Sequence, residues 1–130
     1  MTEVLEYIRQ EMALLGIPYE FMLWTAPVSY PYCVGEFSEI ESLTEDGLQE
    51  KIMILTLTTV NEWLELLEIQ EKLEENFPSE EGKTAILDDG SGIAVFYGTA
   101  LPIPTGDANL KRLQVNLNIK LWKVKRNVRK

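Results

Sequence analysis

Hydrophobic and polar positions alternate most cleanly near the C-terminus. Leu113, Val115, Leu117, Ile119 and Leu121 fall on one side; Gln114, Asn116, Asn118, Lys120 and Trp122 fall on the other. Period two puts successive side chains on opposite sides of a pleated strand, so this segment predicts a strand with one buried face and one amide-rich polar face. Residues 32–59 predict a long hairpin. Its turn is Glu45-Asp46-Gly47, where glycine supplies the positive φ of a primed or bulged turn. The second arm, rich in Ile and Thr over Ile52–Thr59, suits a pleated surface. Arms of ~10 residues at ~3.3 Å each reach about 33 Å, past a compact core, so the hairpin is expected to protrude. Glu36, Glu39 and Glu41 put charge on both faces of the first arm, which protects an exposed edge from uncontrolled pairing.

Two segments carry helical spacing instead. Over 2–15, Val4, Leu5, Ile8, Met12 and Leu15 recur every three or four residues, with Thr2 as the expected N-cap and Gly16 and Pro18 as the stop. Over 62–76, Trp63, Leu66, Leu67, Leu73 and Phe77 form the expected stripe, with Asn61 as the cap and Pro78 after the end. Tyr19–Trp24 predicts a first strand. Segments 84–87 and 93–97 predict a second hairpin about Asp88-Asp89-Gly90-Ser91-Gly92, and 101–109 predicts a proline-rich loop. The order is α-β-β-β-α-β-β-β. It implies an α+β fold: a largely antiparallel or mixed sheet, two helices packed on one face, and a long hairpin. The face Leu113–Leu121 is expected to pack on Trp63, Leu66, Leu67 and Leu73 of the second helix. Residues 1–125 read as one domain and 126–130 as a basic tail.

Charge changes this picture more than composition does. The net charge is −9, but it is divided. Residues 110–130 hold eight basic residues and no acid, whereas residues 1–109 hold four bases and all 21 acids, a net of −17. Three arrangements accommodate the division: a basic last strand beside acidic neighbours in one sheet, opposite patches meeting head to tail on identical subunits, or a basic end on nucleic acid. The acidic bulk repels phosphates and weighs against the last. The acidic N-terminus and the lack of any run of ~18 apolar residues point away from a signal peptide and a membrane span. A protein kept in the cytoplasm, or assembled there into something larger, is the expectation.

Catalytic chemistry finds little to work with. The chain has no histidine, so neither Ser nor Cys has an imidazole to activate it. Cys33 is the sole cysteine, which excludes an intrachain disulfide and a cysteine zinc site, and it reads as a small core residue. Asp88-Asp89 reads as turn chemistry and lacks the spacing and closing Glu of an EF-hand loop. No catalytic, cofactor or metal residue is assigned, and no enzymatic activity is expected.

One resemblance goes further. Val34-Gly-Glu-Phe-Ser-Glu-Ile-Glu41, followed by Glu45-Asp-Gly-Leu-Gln-Glu50, a strand through Ile54-Leu-Thr56, the helix Trp63-Leu-Glu-Leu-Leu-Glu-Ile69 and a basic last strand, resembles the tail terminator (tail completion) proteins of siphophages and prophages. The likeness covers about residues 1–125. It implies a virion structural protein assembled in the host bacterial cytoplasm. It also implies a ring, expected to be hexameric, that caps the tail tube, ends its polymerisation and meets the head–tail connector. DNA would pass only transiently through the lumen, and no membrane is involved. A head–tail joining protein or tail tube subunit would fit the same likeness. An acidic binding module or DNA-mimicking inhibitor is the competing class. The expected subunit contacts are Glu36, Glu39, Glu41, Glu45, Asp46 and Gly47 of the hairpin, and Lys111 and Arg112 after the 101–109 loop.

Overall fold

The computed structural model describes residues 2–40 and 48–123. Helix α1 (Thr2–Leu14) is followed by strands β1 (Tyr19–Phe21), β2 (Tyr32–Ile40) and β3 (Leu48–Thr59), helix α2 (Trp63–Asn76), and strands β4 (Lys83–Ile86), β5 (Gly92–Pro102) and β6 (Lys111–Trp122). The strands form one mixed sheet in the order β1-β2-β3-β6-β5-β4. Every pairing is antiparallel except β1 with β2. The fold is α+β, in the expected element order.

The period-two segment sits near the middle of this sheet. Leu113, Val115, Leu117, Ile119 and Leu121 are buried and align across β3 with Leu57, Leu55, Met53, Lys51 and Gln49. Ile93, Val95 and Tyr97 continue the same face on β5. Val4, Ile8 and Met12 of α1 and Leu66, Ile69, Leu73 and Phe77 of α2 and its end close the core over it. The helix stripe therefore differs from the expected one. Trp63 and Leu67 are 40% and 44% exposed, and Ile69, absent from the expectation, is buried. Apolar residues at 63, 64, 66, 67, 69 and 73 wrap so far round α2 that spacing alone does not select the buried side.

Smaller differences have local causes. Helix α1 begins at Thr2 itself, so Thr2 is not a flanking cap. The N-cap position of α2 is Glu62, which makes no side-chain cap bond. Asn61 instead donates to both carboxylate oxygens of Glu65, and the Thr59 hydroxyl donates to Oε1 of Glu65 at 2.7 Å. β1 ends at Phe21, so Leu23 lies outside it. β5 runs on to Pro102, into the expected loop, because the Ile103 amide still reaches the Arg112 carbonyl. A bulge between Tyr97 and Thr99 accommodates Gly98, where a Cβ would stand 2.8 Å from the Asn116 carbonyl oxygen.

A polar cluster ties α1 to β4. Glu11 is buried and accepts from Lys83 Nζ at 2.6 Å and Asn76 Nδ2 at 2.9 Å. Removing the ammonium leaves a buried carboxylate with the amide alone. Lys83→Ala is expected to cost about 1–3 kcal/mol in urea unfolding. A loss below about 0.5 kcal/mol would show that solvent replaces the ammonium.

Candidate subunit interface

The long hairpin is built into the sheet along its described length. β2 pairs with β3 from Tyr32↔Thr58 to Ile40↔Glu50. β6 flanks β3 on its other side from Thr59↔Lys111 to Leu48↔Trp122. The tip, where a projection is expected, is residues 41–47. Glu41, Glu45, Asp46 and Gly47 lie outside the described residues.

The remaining predicted contacts sit at two places. Glu36 is exposed on β2, opposite Ile54, on the face away from the helices. Glu39 aligns with Lys51. Lys111 and Arg112 are half-buried and start β6, aligned with Thr59 and Thr58; Arg112 Nε donates to the Thr58 hydroxyl at 3.3 Å. Strands β3 and β6 therefore have two distinct ends. One carries Tyr32, Thr59, Lys111, Arg112 and the start of α2. The other carries Ile40, Leu48 and Trp122, with Ile86 at the β4 edge. Twelve residues of β6 at ~3.3 Å separate the ends by about 36 Å. The structure thus does not bring the acidic arm and the Lys111–Arg112 pair together within one chain. Part of the sequence-level charge division is nevertheless settled inside the sheet: Lys120 aligns with Glu50 and lies 5.6 Å from the Phe96 ring centroid.

Exposed apolar side chains mark these surfaces better than charge does. Trp63, Leu64 and Leu67 stand on the first turns of α2, 40%, 59% and 44% exposed. They share a face through their i, i+3 and i, i+4 spacings. At the opposite end, Ile86 and Trp122 flank Gly92 in one cross-strand row. A third group, Met22, Leu23 and Val28, sits on the β1–β2 connection. Sequence reading treated Trp63 and Leu67 as core and did not single out Leu64, Ile86 or Trp122. The signal available was the excess of apolar positions on α2 over what one buried stripe needs.

The β1–β2 connection is an ordered platform. The Glu20 carboxylate accepts from the Thr25 hydroxyl at 2.7 Å, the Thr25 amide at 3.1 Å and the Ala26 amide at 3.4 Å. Trp24 and Tyr30 each make a tilted ring contact with Tyr32, with centroids 5.0 and 5.7 Å away. Met22 holds φ 71°, a left-handed conformation unusual for its type. The Thr25 hydroxyl and then its amide hold the Glu20 carboxyl below the usual carboxylate range. Its support is therefore complete above the ordinary carboxylate pKa and is lost as pH falls through the lower folded value. In a Trp63→Phe/Trp122→Phe background, Trp24 emission should shift to the red on acidification through that range. Glu20→Ala should show the shift already at neutral pH. Identical spectra for the two proteins at all pH values would contradict this anchoring.

Chemistry beyond contact is sparse. Among the described residues no group of three or more His, Cys, Asp or Glu side chains is placed to hold a metal ion. Cys33 is fully buried, and burial pushes its thiol pKa up, which disfavours the reactive thiolate. An open groove of about 670 Å³ runs beside α2, lined by Gly16, Pro18, Pro31, Ile69, Lys72 and four glutamates. No described helix is long and apolar enough to cross a membrane. Comparison of the sequence with protein-family models and with curated proteins finds no match.

Proposed function

We propose that this protein is a phage tail structural component of the tail terminator class. It closes into a ring by head-to-tail contacts, caps the tail tube and offers its upper surface to the head–tail connector. The observation that carries the reading is the placement of unlike surfaces at opposite ends of β3 and β6. The Lys111–Arg112 end and the hairpin end lie about 36 Å apart and cannot meet in one chain. Unlike surfaces that meet only between copies give heterologous contacts, which close into rings when the rotation between neighbours allows. The resemblance across residues 1–125 points to the tail, and the two unlike ends of the sheet suit head-to-tail contact. The ring's partners are its own copies, the tail tube subunit and the connector, with DNA only in transit.

Light scattering after size-exclusion chromatography tests the reading against that of an acidic inhibitor. Oligomers of one defined size at high concentration, with no displacement of DNA from basic proteins, are expected. A monomer at every concentration that strips DNA from such proteins would favour the inhibitor.

A further inference from the structure

We propose that the groove between α1 and the open edge of β4 receives the basic segment 124–130 of the same chain, laid along β4 as a short added strand. That segment lies outside the described residues; the site proposed for it is built wholly from described ones. The inference does not depend on the ring reading above.

The edge itself comes first. β4 is the last strand of the sheet, and no described strand pairs with its outer side. The Leu87 amide donates to the Ser91 carbonyl at 2.8 Å, towards β5. Backbone groups alternate in direction along an antiparallel strand. Those of Lys83 and Ala85 therefore also turn to β5, and those of Thr84 and Ile86 turn outward. Thr84 is exposed and Ile86 is 76% exposed. Beside this edge runs a groove of about 300 Å³, lined by Glu3, Glu6 and Tyr7 of α1 and by Ile86 and Asp88. The Glu11–Lys83 pair, at 2.6 Å, ties α1 to the start of β4 and fixes the two walls relative to each other.

Chemistry and position then select the occupant. The Tyr7 hydroxyl is buried and has no hydrogen-bond partner among the described residues. Burial, and then Glu11, push its pKa up to about 12, so it remains a donor at neutral pH. A peptide carbonyl supplies the acceptor it lacks, as an added strand supplies partners to Thr84 and Ile86. Both walls are acidic. Glu6 is bound by Arg9 and Gln10, so Glu3 and Asp88 chiefly set the field in the groove. Residues 124–130 carry Lys125, Arg126, Arg129 and Lys130 and no acid. They also start close by. Trp122, Gly92 and Ile86 lie in one cross-strand row, so β6 ends two strands from β4 and at the same end. Lys123 lies in the field of Asp89, whose carboxyl the Ser91 amide, first of all, holds below the usual range. At ~4.8 Å per strand the added position is about 15 Å from β6, and residues 124–130 at ~3.3 Å each reach about 23 Å, which leaves two or three of them to lie along β4. β4 and β6 run the same way, so a segment returning over the end of the sheet is antiparallel to β4. Tethering at Lys123 raises its local concentration over that of any free peptide.

Amide hydrogen exchange of the full chain, compared with a chain ending at Lys123, tests the contact. The Thr84 and Ile86 amides should exchange at least ~10-fold more slowly in the full chain, while those of Lys83 and Ala85, already directed to β5, should change little. Raising the salt to about 1 M should reduce the added protection, because the acidic walls are then screened. The protection should not depend on protein concentration. Should the shortened chain fail to fold, the full chain with Arg129→Glu and Lys130→Glu takes its place, and it too should lose the protection of Thr84 and Ile86. Equal exchange at Thr84 and Ile86 with and without the segment, or with its charges reversed, would overturn the proposal. Protection that disappears on dilution would assign the groove to a second copy's segment and overturn the proposal as well.

Discussion

Replacing Leu117 by Ala is expected to lower the free energy of unfolding by about 2–5 kcal/mol. Leu117 has no exposed surface, lies midway along β6, and aligns with Met53 on β3 and Tyr97 on β5. Its neighbours on both sides are held in hydrogen-bonded ladders, so the vacated space cannot collapse freely, which places the loss toward the upper part of that range. Urea unfolding with an unchanged slope would measure it. A loss below about 1 kcal/mol would mean that this face is not the centre of the core.

Deleting residues 41–44, so that Glu45-Asp46-Gly47 alone joins Ile40 to Leu48, is expected to leave a folded protein that assembles at least ~10-fold more weakly. The fold should survive because the described arms keep their ladder from Tyr32↔Thr58 to Ile40↔Glu50, and β3 keeps β6 along its other edge. Assembly should suffer because the deletion trims the end that, in the proposed ring, approaches Lys111 and Arg112 of a neighbour. Reversing Lys111 and Arg112 to Glu should weaken assembly as well, and more at low salt, where screening is least. Exposed pairs contribute only about 0–1 kcal/mol each, so the effect of the reversal should be modest. Sedimentation at matched concentration compares the variants. Unchanged assembly of the shortened protein would remove the hairpin from the interface.

Much of this architecture is legible in the chain because local periodicity decides it. The strict alternation of Leu113–Leu121 leaves a strand only one way to bury its apolar side, and all five residues are buried. Helix α2 was legible as an element but not in its orientation: tertiary packing selects Leu66, Ile69, Leu73 and Phe77 and leaves Trp63 and Leu67 at the surface. The parallel pairing of Tyr19–Phe21 with Cys33–Gly35 was not legible, since nothing local distinguishes a parallel edge strand from an antiparallel one. Of the candidate contacts, the charges were visible in sequence, but their distribution between two ends of one sheet is a property of register. That Lys120 lies beside Glu50, and Lys111 beside Thr59, depends on residues some 50 to 70 positions apart pairing correctly. The exposed row Ile86–Gly92–Trp122 is assembled from three strands and has no sequence signature of its own.

The central claim, that the protein caps a tail tube as a ring, is tested most directly by electron microscopy of tubes polymerised from the cognate tube subunit with and without this protein. Tubes made with it should stop growing and carry a ring at one end, while tubes made without it continue to lengthen. Tubes that lengthen equally in both cases, with no protein bound at their ends, would contradict the account.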